Sequence, residues 1–104
     1  MKKVPGIFFI TLCFLLLSNT AFASRGYIVY TDDNIMVIET NYGYTCVELY
    51  SYAPMYEGDY VVGEFESYGM HEIYDMSMDT SNEVYVDDYG LSSDEVIRWI
   101  GDNS

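Results

Sequence analysis

The sequence predicts an all-β protein: a small six-stranded curled sheet or barrel of OB/SH3-like kind, with one short C-terminal helix. Three observations predict it. Between Gly26 and Tyr89 the chain alternates with period two and is enriched in Val, Ile, Thr and Tyr. Gly, Asn, Asp or Pro interrupts that alternation at hairpin-length intervals. Beyond Leu91 the period changes to that of a helix. Closure of the sheet would also hide strand edges, which a chain with 12 tyrosines and many valines needs to keep from its neighbours.

The N-terminus is set apart. Met1-Lys2-Lys3 precedes an apolar run from Ile7 to Leu17, and a small, polar segment then ends Ala21-Phe22-Ala23. This is the form of a cleaved secretory leader. The apolar run is about 11 residues, short of the ~20 needed to span a bilayer. We therefore expect residues 1–23 to be a signal peptide and 24–104 a single small β-barrel-like domain. It would be periplasmic or secreted, with no membrane anchor after cleavage.

Within the mature part, strands are expected at Tyr27 to Thr31, Ile35 to Thr40, Tyr44 to Ser51, Asp59 to Glu66, Met70 to Met78 and Glu83 to Asp87. The connections are the Asp32-Asp33 turn, Asn41-Tyr42-Gly43, the Pro54-containing segment Tyr52 to Gly58, Ser67-Tyr68-Gly69, and the polar stretch Asp79 to Asn82. Ser92 stands three residues before Glu95, a capping box, with Leu91 and Val96 at the staple positions. Asp94 and Glu95 suit the positive end of a helix dipole. Val96, Ile97, Trp99 and Ile100 offer an apolar stripe, and Gly101 is the expected stop. So short a helix needs a surface to dock on, and Trp99 is its expected anchor.

Charge bounds the partner. The chain carries 17 acidic residues, and once Lys2 and Lys3 leave with the leader only Arg25 and Arg98 oppose them. Such a field repels phosphate backbones, which argues against nucleic acid and for a cationic protein, a cationic peptide or metal ions. Cys13 also leaves with the leader, so Cys46 has no intramolecular partner and is expected as a small buried residue in its strand.

If the strands alternate up and down, three Tyr-Gly turns fall on one end: Asn41-Tyr42-Gly43, Ser67-Tyr68-Gly69 and Asp88-Tyr89-Gly90. Turn geometry accounts for the glycines but not for the tyrosines, whose rigid amphipathic rings suit binding surfaces. Tyr42, Tyr68 and Tyr89, rimmed by Asp88 and Glu66, are the candidate binding residues. The competing expectation is that the rings fold back and plug the barrel.

Other chemistry is thinner. In a regular fifth strand Met70, Glu72, Tyr74, Met76 and Met78 share one face, and His71, Ile73 and Asp75 the other. Met76-x-Met78 forms a thioether pair suited to Cu(I) or Ag(I), with His71 or Cys46 as further donors. In content, though not in spacing, the set resembles the small periplasmic copper-binding barrels, which combine two Met, a His and a Trp. That resemblance implies a soft-metal carrier as the alternative function, although no Trp lies near this pair. Neither Asp32-Asp33-Asn34 nor Asp87-Asp88 with Asp94-Glu95 has calcium-loop spacing. The single histidine has no orienting partner, and Glu64 and Glu66 read as solvated acids, so the expectation is a non-enzymatic protein with no catalytic residues and no cofactor. A weak enzyme or enzyme subdomain acting on surface polymers is the remaining alternative.

Overall fold

The computed structural model describes residues 23–104. The leader expected over residues 1–23 therefore lies, but for Ala23, outside the described residues. Six antiparallel strands close into a barrel, followed by one helix. The strands are β1 (Ser24–Thr31), β2 (Ile35–Thr40), β3 (Gly43–Leu49), β4 (Tyr60–Gly63), β5 (Gly69–Asp75) and β6 (Thr80–Leu91), and the helix is α1 (Ser93–Asn103). Around the wall the order is β1-β2-β3-β6-β5-β4, and β4 closes on β1 in the register Ser24↔Gly63 to Tyr27↔Tyr60.

Alternation along each strand sends one set of side chains inward. Ile28, Met36, Ile38, Val47, Val61, Ile73, Val84 and Val86 fill the barrel, joined by Phe65 from the segment after β4. Gly26 faces inward where β1 crosses β2; a Cβ there would meet Glu39 O at 2.2 Å, so only glycine permits so close an approach. A second, smaller core lies outside the wall. There Val37 of β2 and Cys46 of β3 are covered by Val96 of α1, with Trp99, Ile100 and Leu91 packed against them. This explains why β2 is buried on both faces from Ile35 to Ile38.

The helix keeps its expected start. Ser92 Oγ accepts from Glu95 N, and Glu95 Oε1 accepts from Ser92 N at 2.9 Å. Those bonds hold the Glu95 carboxyl below the usual range. Leu91 and Val96 meet in the outer core as a staple. The buried stripe is Val96, Trp99 and Ile100, spaced i, i+3, i+4, while Ile97 points to solvent. Gly101 does not stop the helix, which runs on to Asn103, where the Asn103 amide donates to Trp99 O at 2.8 Å.

Other boundaries also differ from expectation. β4 is only four residues, because the chain leaves the sheet after Gly63 although its alternation continues through Phe65. β5 stops at Asp75, so Met76 and Met78 lie in a turn rather than on a strand face. β6 is far longer than expected: Thr80 to Asn82 pair with β5, and Asp87 to Leu91 continue along β3. Two irregularities in the β3 and β6 register leave extra residues on β6 between Val86 and Leu91. Asp88-Tyr89-Gly90 is thus a bulged strand segment, not a turn, with Gly90 at φ 67°.

Strand directions alternate in chain order, so the connections sort onto two ends as expected. One end, here the acidic end, gathers residues 32–34, 50–59 and 76–79. The other, the tyrosine end, gathers residues 41–42 and 64–68 with the last residues of β6.

Candidate functional site

At the tyrosine end the barrel is closed by Phe65, which has no exposed surface, with Tyr89 packed on the same core. Tyr42 and Tyr68 are not plugs: they are 79% and 63% exposed. The plugging expectation therefore holds in part for Tyr89 and fails for the other two.

The bulges of β6 organise what stands here. Asp88 Oδ1 accepts from Tyr89 N at 2.9 Å and from the Tyr68 hydroxyl at 3.3 Å. The Tyr68 and Tyr89 rings lie 4.9 Å apart at 52°, within the range of favourable tilted aromatic pairs. The negative charge of Asp88 raises the pKa of the Tyr68 phenol, which keeps it protonated as the donor. His71 props the tip from below, hydrogen-bonded through Nε2 to Ser67 Oγ at 2.9 Å and Tyr68 O at 3.3 Å.

Tyr42 and Glu66 form a second group. The Thr40 hydroxyl accepts from Tyr42 N at 3.0 Å and lies within donating reach of Gly43 O at 2.9 Å and Glu66 Oε2 at 3.4 Å. Gly43, at φ +120°, seats this turn on the end of β6; a Cβ there would meet Leu91 O at 2.9 Å and Gly90 C at 3.0 Å. Tyr42, Glu66, Tyr68, Tyr89 and Asp88 thus occupy one end as two hydrogen-bonded groups. Glu64 is exposed, as expected of a solvated acid, whereas Glu66 is half-buried in the loop beyond β4.

One surface depression is lined by none of the candidate binding residues singled out in the sequence. A groove of about 420 Å³ runs over the outside of β1, β2 and β4, lined by Arg25, Tyr27, Glu39, Thr40, Asn41 and Tyr60. The Tyr27 and Tyr60 rings stand 5.2 Å apart on paired positions of neighbouring strands. A smaller hollow shares Arg25, Thr40 and Asn41 with the groove and reaches Tyr42 and Glu66, so the groove leads to the tyrosine end. Its one signal was the outward alternation Arg25-x-Tyr27, hidden by starting β1 at Tyr27.

The soft-metal donors are scattered. Met76 and Met78 are exposed at the acidic end, whereas His71 is hydrogen-bonded at the tyrosine end, five residues or roughly 16 Å back along β5. Cys46 is fully buried beneath α1. Desolvation, then the charges of Asp88 and Asp87, push its thiol up to about 12, so the thiolate that binds metal does not form near neutrality. Among the described residues no group of three or more His, Cys, Asp or Glu side chains is placed to hold a metal ion.

Comparison with known protein families, with curated proteins and with solved structures gives no match. The fold itself defines the class: a small closed barrel of OB/SH3-like kind, consistent with a module that binds protein or another ligand.

Proposed function

We propose that this is a secreted or periplasmic, acidic, non-enzymatic binding module that docks a cationic protein or peptide at its tyrosine end, as an inhibitor or accessory protein does. The observation that carries the reading is that Tyr42 and Tyr68 stand exposed beside Glu66 and Asp88 at an end already closed by Phe65. These rings are not needed for closure, and exposed tyrosines against carboxylates suit Lys and Arg side chains through cation–π and ionic contacts.

The distribution of charge supports it. Glu72 of β5 and Glu83 of β6 stand directly opposite each other on the outer wall, a like-charge pairing that works against the sheet. Acidity kept at a cost to folding is consistent with a role in long-range attraction of a cationic partner.

The test is capture of cationic proteins from the extracellular or periplasmic fraction at low and high salt, by the natural protein and by Tyr68→Ala and Asp88→Asn. The reading expects capture that salt weakens and both substitutions reduce. Capture that is absent, or indifferent to salt and to both substitutions, would sink it.

A further inference from the structure

At the acidic end one carboxyl is placed where an ionised carboxylate should not be. Asp75 is the last residue of β5, faces the barrel interior and has no exposed surface. Its Oδ1 accepts from Ser77 N at 2.8 Å and Met78 N at 2.9 Å, which shapes the turn into β6. Its Oδ2 is buried and receives no N–H or O–H. The neighbour within hydrogen-bonding reach is another carboxyl, that of Asp59. Asp59 Oδ2 accepts from Tyr56 N at 3.0 Å, and Asp59 N donates to Tyr56 O at 3.0 Å, so Asp59 holds the last turn of the 50–59 segment.

Two carboxylates have no hydrogen to offer each other; with one proton between them, each completes its partner. Among the described residues nothing else nearby supplies positive charge. The 50–59 segment brings Glu57, whose Oε2 takes the Thr31 N–H at 3.4 Å. The β5–β6 turn brings Asp79, engaged by the Tyr74 hydroxyl. The β1–β2 turn brings Asp32 and Asp33, β4 brings Tyr60, and β6 pairs Thr80 with Asp75. Arg25 starts β1 at the opposite end, His71 is bonded at that end, and Arg98 is on α1.

We propose that Asp59 and Asp75 share a single proton and that this proton is the clasp holding the 50–59 segment over the acidic end of the barrel, so that the end closes in acid and loosens as pH rises. The segment is also tied by Ser51 and Ala53 to Asn82, by Thr80 Oγ1 to Pro54 O at 2.7 Å, by Gly58 N to Ile28 O at 2.7 Å and by Asp59 O to Ile28 N at 3.0 Å. The clasp therefore governs the stretch from Tyr56 to Tyr60. Burial first, then the bond to Asp59, raises the Asp75 pKa above its ordinary value. A carboxyl raised in the closed form contributes stability that is complete below its open-form pKa and is gone once pH has risen through the closed-form value. Between the two, the opening equilibrium grows roughly tenfold per pH unit.

The experiment follows the carboxyl carbon of Asp75 by NMR through a pH titration of the full mature protein, together with amide-exchange protection of Gly58. Expected are a raised Asp75 midpoint and a loss of Gly58 protection, beyond the intrinsic pH effect, over the same interval. Asp59→Asn puts an amide donor where the shared proton sat. It should lower the Asp75 midpoint relative to the natural protein and leave Gly58 protected at high pH. Asp33→Asn, which removes the same charge from the same end, should preserve the natural titration. An Asp75 midpoint in the ordinary range, or Gly58 protection that is as pH-dependent in Asp59→Asn as in the natural protein, would overturn the proposal. So would Ca²⁺ restoring protection at high pH, which would make the pair a metal site instead.

Discussion

The two ends of this barrel are closed by opposite means. The tyrosine end is closed by one aromatic ring, Phe65, buried among Ile and Val. The acidic end is closed by polar side chains that face inward. Asn82, 2% exposed, accepts from Ser51 Oγ and Ala53 N and donates to Ala53 O, while Thr80 Oγ1 donates to Pro54 O. Closure by an apolar plug leaves the surrounding tyrosines free for a partner. Closure by hydrogen bonds consumes the loop's own polar groups and makes that end answer to pH.

The sharpest way to break this contrast is Phe65→Ala. Its loss should destabilise the fold by about 3–5 kcal/mol in urea unfolding, the usual cost of emptying a buried Phe site. A small effect would mean that Tyr89 or Tyr68 can take its place. Next is Asn82→Ala, which leaves Ala53 N–H and C=O without their partner; roughly 1–3 kcal/mol is expected. The same variant should raise proteolytic nicking within 50–59 while leaving capture at the tyrosine end intact.

A third prediction concerns a second carboxyl pair, on the helix side. Glu48 is bonded to Asp87, which already accepts from Trp99 Nε1 at 3.2 Å, and that bond, then burial, raises the Glu48 pKa. The sign follows as for Asp75: the contribution is complete in acid and lost as pH climbs through the raised value. Glu48→Gln, carrying a permanent donor, should reduce the loss of melting temperature as pH rises above the ordinary Glu range of about 4.3. The smallest effect on folding is expected for Tyr68→Ala, whose unfolding midpoint should stay within error of the natural protein. A marked drop would move Tyr68 from binding rim to structural element.

Much of this contrast could be read along the chain, because alternation reports which side of a wall a residue faces. It placed β2 to the residue, put His71, Ile73 and Asp75 on one side of β5, and sorted the connections onto two ends. The misreadings share one cause. Alternation records burial and not pairing, so Phe65 reads as strand after the sheet has ended, and the inward polar residues Thr80 and Asn82 read as loop. The bulges that aim Asp87 at Trp99 and Asp88 at Tyr68 depend on register between β3 and β6, some 40 residues apart in the chain. No local pattern encodes that register. The Arg25 groove was missed for the same reason, since it exists only where β4 returns to β1.

Cys46 carries a consequence of a different kind. Its thiol is sealed between Val37 and Val96 and kept protonated, so a labelling reagent can reach it only when α1 leaves the wall. The protein thus contains its own stopwatch. At reagent concentrations where labelling outruns reclosure, the rate of Cys46 modification times each departure of the helix.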